Sequence, residues 1–444
     1  MLAIDSHEHY TSFMCDTSIA SGGLLVINIP GFMPALPNDS RTSPYRWLIL
    51  AVATVLQAGA AFVTQGIAVL AGYLQKDLHL STTQVGLLIT ASSAAPIFTL
   101  LFVGDLLDRK SERSIIGAGM LIMALGLVGA GVAPGFLVLC AALFVVGMGY
   151  STVQPGGSRS VSQWFNGHQL GIAMGVRQAG LPLGGAAAAA VLPFLVGGQG
   201  WRAAFLWSVA VVLAAGLLFW AVYRPPNLPG RSGKRAVLTV FFLVRMVRQR
   251  WMQRVVWSGM ALVGTQYGIV VFLMLFLRDR FGMPLHEGGW LLLLMQLSGG
   301  AGRIALSVWS DHCGKSGDRF VPVGASMVVT CLGLLALVNL PSDVSRTWLP
   351  GLIGVLGFFA LGWYGPWVTY IADSAPADSV GLALGAAMTV NQIAIVLTPP
   401  ALGMIHDATG NYAAVWGVLI GWVVATLVLL HVLGRFHKPQ AASV

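Results

Sequence analysis

The sequence predicts an all-α polytopic membrane protein in which 12 transmembrane helices form two six-helix repeats around a central cavity. Hydrophobic residues make up 56% of the 444 positions and charged residues only 9%, which is too little charge to cover a soluble protein of this length. Apolar runs of roughly 20 residues, the length that spans a hydrocarbon core of about 30 Å, recur along the chain. Similar segments also return about two hundred positions apart, which indicates an internal repeat.

The apolar runs predict the order and limits of the helices. The predicted spans are 46–73, 84–104, 113–133, 135–158, 169–195, 202–223, 255–277, 285–308, 319–339, 347–371, 380–404 and 412–434. Short connections make neighbouring helices antiparallel, and an even number of spans puts both termini on one side. The predicted domains are a tail at 1–42, a bundle at 43–223, a basic linker at 224–254, a second bundle at 255–434 and a tail at 435–444.

Residues 1–42 differ from the rest of the chain. The apolar run from Gly22 to Ile29 is too short to span a membrane and no basic segment precedes it, so a signal peptide is not predicted. Two interpretations stay open. The segment is a cytoplasmic tail, or the gene start is placed too early and Met33 is the initiator.

Three pairs of similar segments support the repeat. They are Thr64-Gln65-Gly66-Ile67 with Thr265-Gln266-Tyr267-Gly268-Ile269, Gly171-Ile172-Ala173-Met174-Gly175 with Gly381-Leu382-Ala383-Leu384-Gly385, and Pro155 with Pro366. The pairs are 201, 210 and 211 positions apart. A common spacing along the chain predicts two similar halves with a binding site between them.

The net charge of +9 indicates the topology of the chain in the membrane rather than an acidic partner. With these spans, 18 of the 25 Lys and Arg fall in segments on one side, which the positive-inside rule makes the cytoplasm. Both termini are therefore predicted to be cytoplasmic, in the cytoplasmic (inner or plasma) membrane. The expected partners are the lipid bilayer and a small substrate, with no nucleic acid, and a monomer is expected.

A charged stretch follows the second helix. Gly104 to Arg113 carries six charges in ten residues, and a weaker copy, Ser307 to Lys315, follows the eighth helix. Asp108 and Asp311 lie 203 positions apart. Each is expected to pair with a nearby arginine or with the positive end of a facing helix, and so to latch the cytoplasmic side. The predicted latch comprises Gly104, Asp108, Arg109, Arg113 and Asp311.

The sequence holds no pattern of catalytic or metal-binding residues. A nucleophile elbow, an HExxH motif and a phosphate-binding loop are all missing, and Cys15, Cys140, Cys313 and Cys331 lack metal spacing. No cofactor is expected. The 16 acids fall in tails, loops or helix ends rather than in helix interiors. An enzyme is therefore not predicted.

Two arginines lie inside predicted helices. Arg303 precedes Asp311 by eight residues, which places it roughly 12 Å into the eighth helix, and Arg177 lies at a similar depth in the fifth. Burying an arginine is costly, so such residues tend to face a cavity or a substrate path. Each also has a structural alternative, in which it bonds backbone carbonyls and holds helices together. Because a guanidinium suits a carboxylate, the deduced ligand is anionic.

The charged stretch and the repeat resemble the major facilitator superfamily of transporters. That family's loop reads Gly-x-x-x-Asp-Arg with further basic residues, and Gly104, Asp108, Arg109, Lys110 and Arg113 match it, whereas only Asp311 is kept in the second copy. Gly302-Arg303 followed by Ser310-Asp311 is similar to the monocarboxylate-transporter-like and oxalate/formate-antiporter-like branches, as is Trp164-Phe165 followed by 171–175. In those branches the matching arginine holds the substrate carboxylate, which implies that role for Arg303.

Uncharged polar groups in the spans complete the predicted site. The ranked candidates are Gln65, Gln266, Tyr267, Tyr150, Gln154, Tyr364 and Asn391, with Gln57, Gln178, Gln296 and Gln392 as further polar positions. The first three rank high because the repeat carries them. The resemblance implies that helices 1, 4, 7 and 10 line the cavity, which favours Tyr150, Gln154 and Tyr364. Each one is also a candidate for a bond between helices.

The resulting hypothesis is a secondary transporter that moves a small organic anion, with a monocarboxylate as the favoured class. The alternatives are an exporter of drugs or metabolites, which the sequence 180–185 resembles loosely, a nitrate/nitrite-type porter and a non-transporting sensor. Nitrate porters use a second arginine in helix 2, where Leu100 stands here. Proton symport and anion exchange both stay open, because Ser151 stands near the position of the helix-4 arginine of proton-coupled relatives.

Overall fold

The computed structural model describes residues 44–165, 167–225, 248–316, 319–341, 347–375 and 380–435. Twelve membrane helices follow one another in these ranges. They are α1 Tyr45–Leu78, α2 Thr82–Arg109, α3 Glu112–Gly131, α4 in two segments, Phe136–Tyr150 and Val153–Trp164, α5 and α6 within Gly167–Val222, α7 Arg250–Phe281, α8 Leu285–Ser316, α9 Val321–Asn339, α10 in two segments, Leu349–Gly362 and Tyr364–Ser374, α11 Val380–Thr409 and α12 Tyr412–Arg435.

The helix count agrees with the prediction. Ten stretches of the described chain are long and apolar enough to cross a membrane, and one of them, Ile172–Val222, contains both α5 and α6. These two helices meet at Gly200, whose φ of 80° is a conformation that glycine adopts without a steric penalty. With α2 added, the total is twelve. The predicted all-helical class with two six-helix repeats is confirmed.

Prolines break α4 and α10 at equivalent places in the two halves. Pro155 has no N–H to donate to the carbonyl of Ser151, and Pro366 has none for the carbonyl of Gly362, so each helix is interrupted about one turn before its proline. The interruptions lie at 151–152 in α4 and at Trp363 in α10. The sequence predicted each of these spans as a single helix, although it identified the two prolines as a repeated pair.

The charged stretches predicted as loops are the last turns of helices. Residues up to Arg109 continue α2, and residues up to Ser316 continue α8. Charged side chains tolerate this because the helices extend beyond the apolar layer, where Asp105 and Arg109 form an ion pair of 2.9 Å one turn apart. The connection between α2 and α3 is then only Lys110 and Ser111, and the Ser111 hydroxyl caps α3.

The two halves meet at one end of the bundle. We name the end where α1 begins and α12 finishes the inner end, and the opposite end the outer end. Leu275 and Leu285 pack beside Gly72 of α1, and Pro193 of α5 packs beside Gly289 of α8, all in the outer part. Towards the inner end, open space lies beside residues of α2, α5 and α11, namely Gly104, Gly175 and Gly385. These three glycines therefore have no packing partner among the described residues.

Candidate functional site

Arg303 of α8 lies between the two halves. Its side chain is buried, with 8% of the residue exposed, and the guanidinium carbon lies 5.3 Å from the centre of the Tyr364 ring. Nε donates to the carbonyl of Leu361 at 3.1 Å, and Nη1 donates to the carbonyl of Gln178 at 3.1 Å. Nη2 makes no hydrogen bond with any residue that the structure describes. The Arg303 guanidinium therefore has N–H donors available for a ligand.

Helix irregularities make these two carbonyls available. Pro182 has no N–H, so the carbonyl of Gln178, four residues earlier in α5, lacks its usual partner inside the helix. Leu361 lies in the last turn of the first segment of α10, where carbonyls also lack helical partners. Arg303 thus bonds two backbone carbonyls that lack a partner within their own helices.

Arg177 of α5 is held more completely. It is 1% exposed, and its two terminal nitrogens donate to five acceptors. These are Gln154 Oε1 at 3.2 Å, Ser158 Oγ at 3.0 Å, Gln57 Oε1 at 2.9 Å and the carbonyls of Val153 at 3.0 Å and Gln154 at 3.2 Å. Gly157 makes this possible, because a Cβ there would lie 2.8 Å from Arg177 Nε. Ser158 was not among the sequence candidates.

The two arginines leave positive charge in the middle of the bundle. Neither forms an ion pair with an acid in the described part of the chain. Tyr150 and Tyr364 lie within electrostatic range of both guanidinium groups, and Tyr267 within range of Arg303. Two buried cations without counter-charges favour an anionic ligand, since an anion would offset the cost of burying them.

Several buried amide atoms near this level have no protein partner. They are Gln57 Nε2, Gln178 Oε1 and Asn391 Oδ1, judged against the described residues. Buried polar atoms normally find a hydrogen bond, so these three are positions where a ligand hydroxyl or water is expected to bind. Asn391 lies beside Gly259 and Trp367, in the second half of the chain.

The remaining polar candidates bond other side chains. Gln296 Nε2 donates to Gln65 Oε1 across the two halves at 3.5 Å, and Trp363 Nε1 donates to Gln266 Oε1 at 3.0 Å. The structure therefore gathers the two arginines, Gln154 and the three tyrosines, and places Gln65, Gln266 and Asn391 in separate contacts. Sequence reasoning missed Trp363. It lies in an aromatic-rich segment, 363–367, in which a tryptophan is expected to pack between helices rather than to donate a hydrogen bond.

The inner end of each half carries a charged brace. In the first, Arg159 pairs with Glu112 at 2.8 Å, and Gln163 Nε2 donates to the same carboxylate at 2.7 Å. In the second, Arg319 pairs with Asp311 at 2.7 Å and also with Asp373. We name these the first and second braces. The two braces have opposite charge at equivalent positions, because Glu112 at the start of α3 is an acid and Arg319 before α9 is a base.

Three of the predicted latch residues, Arg109, Arg113 and Asp311, contact their own half. Arg109 pairs with Asp105, Asp311 with Arg319, and the Arg113 guanidinium lies 3.9 Å from the centre of the Trp220 ring. Gly104 faces open space. The Asp108 side chain lies outside the described part of the structure. Among the described residues, Arg109 and Asp311 form their ion pairs within their own half rather than across the two halves.

A carboxylate joins the halves at the outer end. Asp407, near the end of α11, accepts from the backbone N–H groups of Thr82 at 2.9 Å and Thr83 at 2.8 Å, and from the Thr83 hydroxyl at 2.5 Å. These amides begin α2, where helical N–H groups lack partners and a negative charge is favoured. We name Thr82, Thr83 and Asp407 the outer clasp. The sequence gave no signal for it, because its members are 324 or 325 positions apart.

The geometry defines a multi-pass transporter with a polar cationic site between two six-helix halves. The sequence profile of the Major Facilitator Superfamily matches residues 50–399 and again 256–442. The chain therefore belongs to this family, whose members are transporters rather than enzymes. The resemblance inferred from the charged stretch is confirmed, and the branch within the family stays a prediction.

Relatives and a solved structure agree with this assignment. An uncharacterised MFS-type transporter of Mycobacterium tuberculosis is 28% identical over 84% of this chain and 82% of the relative. A probable galactarate/D-glucarate transporter of Bacillus subtilis is 24% identical (86% and 90%), and a hexuronate transporter of the same species is 23% identical (84% and 90%). A bacterial homologue of the lysosomal transporter Spinster, inward-facing and unoccupied, aligns with a TM-score of 0.71 at 18% identity, over 89% of this chain and 96% of that one.

Proposed function

We propose that the protein is a secondary active transporter that moves a small organic anion, with Arg303 binding the carboxylate. The observation that carries the proposal is the pair of buried guanidinium groups without an acid partner among the described residues, one of which keeps free donors. A planar fork matches the two oxygens of a carboxylate. Arg177, whose donors are engaged by the protein, supplies positive charge and holds α1, α4 and α5 at the site.

The favoured substrate is a monocarboxylate, and the surrounding amides favour one with hydroxyl groups. The partnerless atoms of Gln57 and Gln178, two residues that contact Arg177 and Arg303, suit hydroxyl donors and acceptors. The names of two relatives, a galactarate/D-glucarate and a hexuronate transporter, point to hydroxylated acids as well. Tyr150, Gln154, Tyr267 and Tyr364, all half-buried, are placed to line the space that such a molecule would fill.

Transport is proposed to proceed by alternating access of the two bundles, residues 43–223 and 255–434. The outer clasp and the pair Gln65–Gln296 close the outer end in the observed arrangement. Opening that end requires both contacts to break as the halves rock. The inner ends then approach, and Gly104, Asp108, Arg109, Arg113 and Asp311 are proposed to form the latch there.

Orientation and coupling are also proposed. We propose that the inner end, both tails and the basic linker lie on the cytoplasmic side of the cytoplasmic membrane, because the excess of Lys and Arg there follows the positive-inside rule. Residues 226–247 of the predicted linker (224–254), residues 1–43 and residues 436–444 lie outside the described residues. We propose a monomer. Proton symport and anion exchange are both compatible with this site. The acids among the described residues lie near helix ends, so the site itself does not indicate which ion is coupled.

The test is uptake into proteoliposomes that contain the full chain. Labelled glucuronate, galactarate, lactate, nitrate and a cationic dye are offered with and without a pH gradient. Arg303→Lys keeps the charge and loses the fork, and Arg280→Lys is the control, because Arg280 lies at the exposed outer end of α7. We expect carboxylate uptake that falls at least about tenfold in Arg303→Lys and persists in the control.

Each outcome separates the alternatives. Stimulation by an inward proton gradient indicates symport, and stimulation by internal anion indicates exchange. Equal dye uptake in wild type and Arg303→Lys would identify an exporter. Uptake of nitrate alone would identify an inorganic anion porter, and absence of flux with retained binding would identify a sensor.

A further inference from the structure

An arginine at the inner end of the first half has no acid partner among the residues that the structure describes. Arg113 lies in the first turn of α3, and its guanidinium stacks on the Trp220 ring of α6 at 3.9 Å from the ring centre. Its Nε is buried without a hydrogen bond, and it forms no ion pair with the residues described. The neighbouring Glu112 turns its carboxylate inwards to Arg159. Arg113 is thus a cation whose charge no acid of the described chain offsets.

Two further charges make this position more positive. Arg224, just beyond the end of α6, lies close enough to repel Arg113, and it too has no acid partner within the described chain. The N-terminal end of α3 adds the partial positive charge of a helix start, where cations are normally disfavoured. Two guanidinium groups and a helix start at one place favour the binding of a negative group.

The surface of α3 and α6 next to these arginines is apolar and exposed. On α3, Arg113 is followed at intervals of four residues by Gly117, Leu121 and Leu125, which therefore share one face of the helix. Leu121 is 58% exposed and Leu125 is 69% exposed. Trp220 packs beside Gly117, and Leu217, one turn away on α6, is 64% exposed. Two adjacent apolar rows thus run from the arginines towards the middle of the membrane.

We propose that Arg113, Arg224 and Trp220 form a binding site for the phosphodiester headgroup of an anionic phospholipid, whose acyl chain lies along the α3–α6 face. The two guanidinium groups match phosphate oxygens, and the exposed leucines match a hydrocarbon chain. The site lies at the inner end of the first half, on its membrane-facing side, apart from the cationic centre between the halves. It is independent of the transported substrate.

A lipid fits these observations better than a soluble anion. The site combines charge with a lipid-facing apolar surface, and Trp220 is 48% exposed at the boundary between them. Tryptophan is enriched at this depth because its ring is apolar and its N–H is polar. A free phosphate would use the arginines and leave the apolar rows without a role.

The test is native mass spectrometry of the purified full chain, mixed with phosphatidylglycerol and phosphatidylcholine of identical acyl chains. The ratio of the two lipids in the first bound adduct is measured for wild type, Arg113→Gln, Arg224→Gln and Arg109→Gln. The last is a matched control, because Arg109 is also at the inner end but is paired with Asp105. We expect each of the first two changes to lower the preference for phosphatidylglycerol about fivefold, and the control to change it less than about twofold.

Two further arms complete the design. Arg113→Lys keeps the charge and is expected to retain most of the preference, which distinguishes a binding role from a fold defect. Inorganic phosphate is added as a competitor. A loss in Arg109→Gln as large as in Arg113→Gln would overturn the proposal, because general surface charge would then explain the preference. Displacement of the lipid by millimolar phosphate would also overturn it in favour of a soluble anion.

Discussion

The two buried arginines differ in how the protein uses them. Arg177 is bound by side chains and carbonyls of α1 and α4. Arg303 bonds two carbonyls that lack a partner within their helices and keeps one terminal nitrogen unbound among the described residues. The sequence predicted both arginines, because charge is rare in apolar runs. It did not predict their acceptors, since Pro182 exposes a carbonyl to a residue 125 positions away.

Gly157 tests how closely Arg177 must be positioned. In Gly157→Ala the new methyl group would lie 2.8 Å from Nε and Nη2, so the guanidinium must move away from the carbonyls of Val153 and Gln154. Because bonds to a charged group contribute about 1.5–3 kcal/mol each, we expect uptake to fall at least about tenfold. Uptake by reconstituted protein measures this.

The matched control is Gly175→Ala in α5, where open space surrounds the added methyl group. Alanine is the better helix former, so this protein should fold and transport as wild type or with slightly higher stability. Equal activity of both variants would show that Arg177 does not depend on its carbonyl contacts.

Helix ends and breaks organise the larger elements. The breaks in α4 and α10 occupy equivalent positions because the repeat preserves one proline in each helix. The charged ends of α2 and α8 continue as helix rather than loop. After α2, the connection to α3 is only two residues, which is too short for a separate charged loop. Composition and periodicity predicted where the helices lie, but contacts between their ends depend on residues more than 300 positions apart, which sequence pattern does not connect.

The outer clasp predicts a shift in the conformational equilibrium. In Asp407→Asn the side chain loses its charge and one of its two acceptor oxygens, so the α2 amides are held less well. We expect the outer-closed arrangement to lose about 1–3 kcal/mol relative to the outer-open one. Spin labels at two exposed outer positions, Val132 and Trp348, in a protein whose native cysteines are replaced, should show a longer distance.

The control for this experiment is Asp105→Asn, which removes a carboxylate that pairs within its own helix at the inner end. Its distance distribution should match wild type. An unchanged distribution in Asp407→Asn would mean that other contacts, such as that of Gln65 with Gln296, suffice to hold the outer end closed.

The first brace predicts a loss of stability. Glu112 is 3% exposed and accepts from both Arg159 and Gln163, so Glu112→Gln removes the ion pair with Arg159. Because Arg159 is partly exposed, we expect a cost of about 1–3 kcal/mol rather than the larger cost of a fully buried pair. Asp105→Asn, which breaks an exposed pair, should cost under about 0.5 kcal/mol. Thermal unfolding in detergent measures both, and equal losses would contradict a structural role for the brace.

At the scale of the whole molecule, two similar halves carry dissimilar charges. The repeat accounts for the paired helix breaks, yet Arg177 and Arg303 do not occupy equivalent positions, and the braces exchange the sign of their charges. The twelve helices and the cationic centre were predictable, because they follow from hydropathy and from the rarity of charge in the spans. The closed outer end was not predictable, since it depends on how the halves pack.

Direct binding of the substrate tests the central claim that Arg303 holds a carboxylate. The dissociation constant of the best labelled acid from the uptake panel would be measured on purified wild type, Arg303→Lys and Arg280→Lys. We expect Arg303→Lys to weaken binding about 10- to 100-fold, because lysine keeps the charge and loses the fork, while Arg280→Lys binds as wild type. Equal affinity of the acid for wild type and Arg303→Lys would contradict the claim and assign Arg303 to packing between the halves.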